Sequence, residues 1–211
     1  ALKRRLHVLC EKPMAATLAE AQAMLVAAKR AGTIHMVNYS KRNFAGLQGA
    51  AKVIAAGKIG RVIHVEASYL QCWLSSTVWG DWRTQARLTW RLSTRHGSQG
   101  TLGDLGCHVY DMVSLLAGPF AEIQCRLACF DKGVKGNRLG EYVLDANDSF
   151  VTSVVFRNGA IGTIHSSRWA TGHPNREYVC VFGDKAAVRF DAERDPDAIV
   201  IVATREGIVE G

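Results

Sequence analysis

Asp104 and His108 stand four residues apart in the stretch GTLGDLGCHVYDMVSLLAG, residues 100–118. If a helix opens near Asp104, the two side chains share one face, one turn from each other. A carboxylate in that place holds an imidazole in one tautomer and raises its basicity, as a general base requires. The same spacing has a structural reading, in which Asp104 is the N-cap and His108 a core histidine bonded to it. A metal site at Asp104, Cys107 and His108 is disfavoured, because one helix face without a second ligand cluster does not enclose an ion. A third candidate, Lys12, lies far upstream in Glu11-Lys12-Pro13. On its own it reads equally well as a solvated lysine in a turn.

The elements that must position these residues follow from patterning. In 100–118 the glycines at 100, 103 and 106 give way to an apolar helical face of Val109, Met112, Val113 and Leu116, stopped by Gly118-Pro119. Residues 5–10 (RLHVLC) predict a short buried strand. Thr17 and Glu20 form a capping box that opens a helix with Leu18, Ala21, Leu25 and Ala28 on one face and Gly32 as its stop. With a strand at 33–39 this makes one βαβ crossover. A second helix, about 44–56, buries Leu47, Ala50, Ala51 and Ile54, and a strand follows at 61–71. Residues 72–99 carry tryptophans at 73, 79, 82 and 90 with little periodicity, which predicts a long functional loop. After the central helix the pattern predicts only strands, at 121–130, 147–157, 160–169, 177–183, 186–191 and 198–204. Arg157-Asn158-Gly159 and Gly183-Asp184-Lys185 mark turns between them. The fold class is therefore α+β: the tail of a Rossmann-type parallel sheet, then a C-terminal α/β domain. That domain holds a large, mainly antiparallel open sheet covered on one face by helices. The boundary falls between 42 and 43.

Composition narrows the function classes. At 48% hydrophobic and 21% charged, the 211 residues describe an ordinary globular protein. No apolar run approaches the ~18 residues that span a bilayer, and the apolar part of ALKRRLHVLCEKP is too short for a signal peptide. The net charge of +7 permits an anionic partner, but Lys3-Arg4-Arg5 is the one tight basic run. No nucleic-acid motif accompanies it, so a solvated basic surface is favoured over nucleic-acid binding. Six cysteines, at 10, 72, 107, 125, 129 and 180, include no C-x-x-C. They are expected to be reduced and buried, in a reducing compartment, most simply the cytoplasm.

The ordered combination of HVLCEKPMA, the link Asn38-Tyr39-Ser40-Lys41-Arg42, Trp90-Arg91 with GTLGDLGCHVYD, and SSRWATGHPN with VFGDKAAVRFD resembles the Gfo/Idh/MocA family. These are the glucose–fructose oxidoreductase and inositol dehydrogenase relatives. The resemblance runs along nearly the whole chain. It implies an oxidoreductase that uses NAD or NADP on a hydroxyl of a sugar, polyol or related compound. Carried over by position, Lys12, Asp104 and His108 are the catalytic set, and Glu11, Lys12, Pro13, Asn38 and Arg42 lie at the cofactor edge. Trp90, Arg91 and Trp169 are candidates for a sugar platform, with core tryptophans as the competing reading. His173 and Asn175 sit in a loop after a strand, where substrate contacts often lie. Asp111 is set aside as a surface or capping carboxylate. The resemblance also implies a homodimer or higher oligomer through the C-terminal sheet.

One departure stands out. The family opens with a G-x-G-x-x-G type loop that holds the pyrophosphate at a helix N-terminus, and this sequence has none. Gly103-x-x-Gly106 precedes a helix but does not follow a strand of a βαβ unit. The expectation is the C-terminal portion of such an oxidoreductase, binding NAD(P) weakly or not at all by itself. The alternative is a non-catalytic sugar-binding or oligomerisation module derived from the family.

Overall fold

A computed structural model describes residues 1–204 and 207–208. The chain divides into two compact units, Ala1–Ser40 and Lys41–Gly211.

In the first unit β1 (Val8–Cys10), α1 (Leu18–Ala31) and β2 (His35–Val37) form a βαβ crossover, with the strands parallel and Leu9 opposite Met36. The capping box is present: the Thr17 hydroxyl accepts from the Glu20 N–H at 3.2 Å, and the Glu20 carboxylate accepts from the Thr17 N–H at 3.0 Å. Gly32 ends the helix at φ 62°. Two expectations are corrected. The strands are three residues long rather than 5–10 and 33–39, and β1 is not buried, with Leu9 68% exposed. Of the predicted helix face only Ala28 is buried, and Leu18 is 75% exposed. A two-stranded sheet under one helix has too little opposing surface to cover these side chains.

The second unit begins with α2 (Ala45–Ala55) and β3 (Val62–Leu70), followed by a short helix α3 (Ala86–Thr89) and the central helix α4 (Cys107–Ala117). Then come β4 (Phe120–Ala128), a small hairpin of β5 (Arg138–Leu139) and β6 (Tyr142–Val143), β7 (Ser149–Phe156) and β8 (Ile161–Ser167). The chain continues through β9 (Arg176–Gly183), β10 (Ala186–Asp191), β11 (Asp195–Thr204) and β12 (Gly207–Ile208). Eight strands form one sheet in the order β12-β11-β10-β9-β3-β8-β7-β4. Leu47 and Ala50 of α2 and Val109, Met112, Val113 and Leu116 of α4 are buried in one core with Val65, Ile164, Val179 and Phe190 of the sheet. Helices thus cover one face, and α4 stops at Gly118 as expected.

The sheet is mainly antiparallel, as the sequence leads one to expect, with β3 between β8 and β9, parallel to the first and antiparallel to the second. Here too the structure corrects the local reading. The hairpin β5–β6 and a 3₁₀ turn at Lys135–Asn137 interrupt what was read as strands only. Residues 72–99 are not an open loop. Trp73, Leu74, Trp82, Leu88 and Leu92 bury themselves with Leu144 in a second small core. Of the six cysteines, all free, Cys72 and Cys180 are buried, but Cys125 on β4, an edge strand among the described residues, and Cys129 just past it are exposed.

Candidate active site

Asp104 is not an N-cap. Gly100 and Thr101 are already helical, and a wide π turn at Leu102–Gly106 leads into α4. The helix starts early because Asn147, distant in sequence, caps it: its backbone C=O accepts from the Thr101 N–H at 2.8 Å and its side-chain oxygen from the Leu102 N–H at 2.9 Å. Gly103 and Gly106 make the turn possible. A Cβ on Gly103 would collide with the Gln99 side chain, and Gly106 lies against the Phe150 ring. Asp104 therefore projects from inside the π turn, and His108, one turn on, is 5% exposed. π turns are frequent at functional sites.

Asp104 faces a guanidinium. Arg168, just past β8, is fully buried and donates to the Asp104 carboxylate at 2.9 Å and to the Arg91 C=O at 2.9 Å. Its guanidinium lies over the Trp73 ring, 5.0 Å from the centroid. Burial lowers the Arg168 pKa from its ordinary value, and the Asp104 charge opposes that shift. Arg91 approaches the same carboxylate at 3.9 Å and stacks on Trp90 at 4.7 Å. One carboxylate thus stands between two arginines.

Beside His108, with ring centroids 6.2 Å apart, lies Tyr69 at the end of β3. Its hydroxyl donates to the Asn175 side-chain oxygen at 3.1 Å, which also accepts from Gln71 at 2.8 Å. Gln71 in turn accepts from the Trp73 indole N–H at 3.0 Å. Glu177, directly opposite Tyr69 in the sheet, is 1% exposed and paired with Lys41. Burial, then the Glu177 charge, raises the Tyr69 pKa well above the usual tyrosine range, so it stays a neutral donor. The unit therefore presents a polar wall of an acid, an imidazole, a phenol and two amides, backed by tryptophans.

The remaining predicted residues fall as follows. In the first unit, Lys12 follows β1, the Lys12–Pro13 peptide is cis, and the Glu11 carboxylate accepts from the Asn38 amide at 2.7 Å. These residues gather at the carboxyl ends of two parallel strands, where α/β sheets bind ligands. In the second unit Arg42 makes a bidentate ion pair with Asp111, at 2.7 and 2.8 Å, which gives the carboxylate set aside above a partner. Trp169 is half-buried, and His173 pairs with Glu193 at 2.7 Å. The second unit thus brings Asp104, His108, Arg91 and Asn175 to one wall. Sequence reasoning missed Arg168, Glu177, Tyr69, Gln71 and Lys41. A signal was available for two of them: Arg168 continues the inward series Gly162, Ile164, Ser166, and Glu177 opens the inward series Val179, Val181. Charged residues at inward strand positions are rare without a purpose.

The fold is a βαβ unit followed by an α/β domain built on one eight-stranded mixed sheet among the described residues. Residues 47–189 match the Gfo/Idh/MocA C-terminal domain, and residues 1–39 match the oxidoreductase family's NAD-binding Rossmann fold. The chain belongs to the Gfo/Idh/MocA family. Levoglucosan dehydrogenase of Pseudarthrobacter phenanthrenivorans is 30% identical over 211 residues, covering 94% of this chain and 52% of that protein. Its structure in complex with NADH and levoglucosan matches with a TM-score of 0.82 at 30% identity, over 94% of this chain and 50% of that one. An oxidoreductase domain protein from Kribbella flavida matches with a TM-score of 0.80 at 36% identity, over 94% and 52%. The 1,5-anhydro-D-fructose reductase of Ensifer adhaerens is 35% identical over 114 residues, 53% of this chain and 30% of that protein. The chain spans about half the length of levoglucosan dehydrogenase.

Proposed function

We propose that this chain carries the substrate half of a dehydrogenase that moves a hydride between a nicotinamide and a hydroxyl or carbonyl of a sugar, polyol or related compound. The observation that supports this most is Asp104 and His108 on one π-turned helix beside a wall of neutral hydrogen-bond donors and acceptors. His108 takes the hydroxyl proton, and Asp104 orients the imidazole. Lys12 completes the proposed catalytic set as a cation that stabilises developing negative charge on a substrate oxygen. Asn175, with Gln71, Trp90, Arg91 and Trp169, holds the sugar. Bound NAD or NADP supplies the hydride chemistry.

In this reading Glu11, Lys12, Pro13 and Asn38 of the first unit serve the nicotinamide end of that cofactor, and Arg42 of the second unit is a further cofactor residue. This donor set does not suit the diphosphate. The N-terminus of α1 is closed by its own capping box, and Glu20 there repels an anion. In our reading residues 1–42 are a remnant of the dinucleotide-binding domain, and 43–211 form the substrate-binding and oligomerisation domain. The protein acts in the cytoplasm as a homodimer or higher oligomer through the C-terminal sheet. Among the described residues no helix is long and apolar enough to cross a membrane, and no cluster of His, Cys, Asp or Glu could hold a metal ion.

The test is a titration of the 211-residue chain with NADH and NADPH, followed by nicotinamide fluorescence. Weak, unsaturated binding up to about millimolar cofactor is expected; micromolar saturation in the wild type would contradict the missing diphosphate seat. The second reading, a non-catalytic sugar-binding module, gains support from the same closed helix terminus. It predicts sugar binding with no turnover at any cofactor concentration.

A further inference from the structure

Cys129 and Lys132 lie in the segment that leaves β4, and neither belongs to the wall described above. The segment folds back so that the Lys132 ammonium donates to the Cys129 sulfur at 3.4 Å. The lysine side chain is fully buried, whereas the cysteine is exposed. The other two ammonium protons go to the Phe130 C=O at 2.9 Å and the Asp148 carboxylate at 2.8 Å, so all three donors are in use. Asp148 is itself fully buried. One of its oxygens accepts from Lys132 and from the Phe130 N–H, and the other has no hydrogen-bond partner among the described residues. The Cys129 S–H donates to the Leu144 C=O at 3.3 Å, which leaves a sulfur lone pair for the ammonium.

A buried ion pair alone is a structural feature. This one differs in its order from the surface inwards: exposed sulfur, buried amine nitrogen, then a carboxylate with an unused oxygen. An oxidant meets the sulfur on its solvent side, and a nitrogen nucleophile stands on its buried side with a proton acceptor beyond it. A sulfenic acid is open to attack by such a nitrogen. A second thiol is not in reach by the same measure. Cys125, four residues back on β4, lies about 13 Å away at ~3.3 Å per strand residue, and a disulfide needs Cα atoms within about 7 Å.

The geometry points to Cys129 as a reversible oxidation site whose resolving group is Lys132, with a hydroperoxide as the oxidant. In the first step the thiol sulfur loses two electrons and becomes a sulfenic acid, while the peroxide O–O bond breaks and its other oxygen leaves as water or an alcohol. Lys132 passes one proton to Asp148, and its nitrogen then bonds to the sulfur. The S–O bond breaks, and the hydroxyl leaves as water with a second proton from that nitrogen. A dithiol reverses the product, returning thiol and amine and becoming a disulfide itself. Sulfur tied to nitrogen is spared the irreversible step to sulfinic acid. The site is independent of the hydride-transfer reading.

The 211-residue chain is treated with excess hydrogen peroxide, digested with trypsin and mapped by mass spectrometry, before and after dithiothreitol. Trypsin cuts after a free lysine and not after a substituted one. The expected product is residues 127–135 uncut at Lys132 and about 2 Da lighter than the reduced peptide, for the two hydrogens lost. Dithiothreitol restores both the Cys129 thiol and the cut. Cys125, equally exposed, serves as the internal control and ends as a sulfinic acid, about 32 Da heavier and not recovered. Cys129→Ser changes an exposed position and spares the buried pair, which a change at Lys132 would break. It is expected to abolish the uncut peptide. Cys129 found as a sulfinic acid with Lys132 cut normally, Cys129 in a disulfide, or Cys129 unoxidised while Cys125 reacts would each overturn the proposal.

Discussion

The pair of Arg168 and Asp104 makes an asymmetric prediction about stability. The Arg168 side chain is 1% exposed, whereas the Asp104 side chain keeps 33% of its surface in water. Arg168→Met removes two charge-assisted hydrogen bonds, each about 1.5–3 kcal/mol, and the contact with Trp73. It also removes the cost of burying a guanidinium, several kcal/mol by itself. The carboxylate left behind can be solvated, so the net loss is about 1–2 kcal/mol. Asp104→Ala leaves the guanidinium in place without its counter-charge, and Asp148, the other carboxylate acting on it, is held by Lys132 at 2.8 Å. Stranding a buried charge costs about 3–5 kcal/mol. All five tryptophans lie beyond residue 41, so tryptophan fluorescence reports unfolding of the second unit alone. Asp104→Ala is expected to melt about 4–8 °C below Arg168→Met, at about 2–4 °C per kcal/mol for a domain of this size. Equal melting temperatures, or a lower one for Arg168→Met, would show that burial does not set the energetics of this pair.

Other consequences are as direct. Gly46→Ala pushes a Cβ into the Ala198 C=O where α2 meets β11, and should cost about 1–3 kcal/mol in urea unfolding followed by tryptophan fluorescence. Thr17→Ala removes half the capping box of α1 and should cost about 1 kcal/mol of helix stability, read as lost ellipticity at 222 nm. Native thiol titration at pH 8 should label Cys125 and Cys129 quickly and spare Cys180. Burial, with the Glu66 charge adding to it, raises the Cys180 pKa from 9.0 to about 11. Above pH 9 the unfolded thiol loses its proton while the folded one keeps it, so this contribution is intact below 9 and is lost as pH rises through 11. Cys180→Ala should flatten that alkaline fall in melting temperature.

Features specified by neighbours in the chain are legible in the sequence. The Thr17–Glu20 box, the stops at Gly32 and Gly118, and the buried faces of α2 and α4 depend on residues within a few turns, and each is where the pattern puts it. Features specified across the chain are not. The helix bearing Asp104 starts early because Asn147 caps it from 45 residues away. The position of β3 between β8 and β9 depends on which strands find one another, which a run of alternating residues does not encode. The tryptophans of 72–99 read as a loop because their core is completed by Leu144, well outside the stretch. At the candidate site, the motif supplied Asp104 and His108, but the partners that hold that wall, Arg168 and Glu177, emerge only when strand parity is followed to the sheet's end.

The central claim, that this wall serves hydride transfer, is tested most directly by nicotinamide reduction in the presence of levoglucosan and related uncharged sugars. The 211-residue chain would be assayed with NAD or NADP at several millimolar, as wild type and as His108→Asn. The account expects a slow rate that rises linearly with cofactor and falls about 10²–10⁴-fold in the variant. A rate that survives loss of His108, or no sugar-dependent rate at any cofactor concentration, would contradict it.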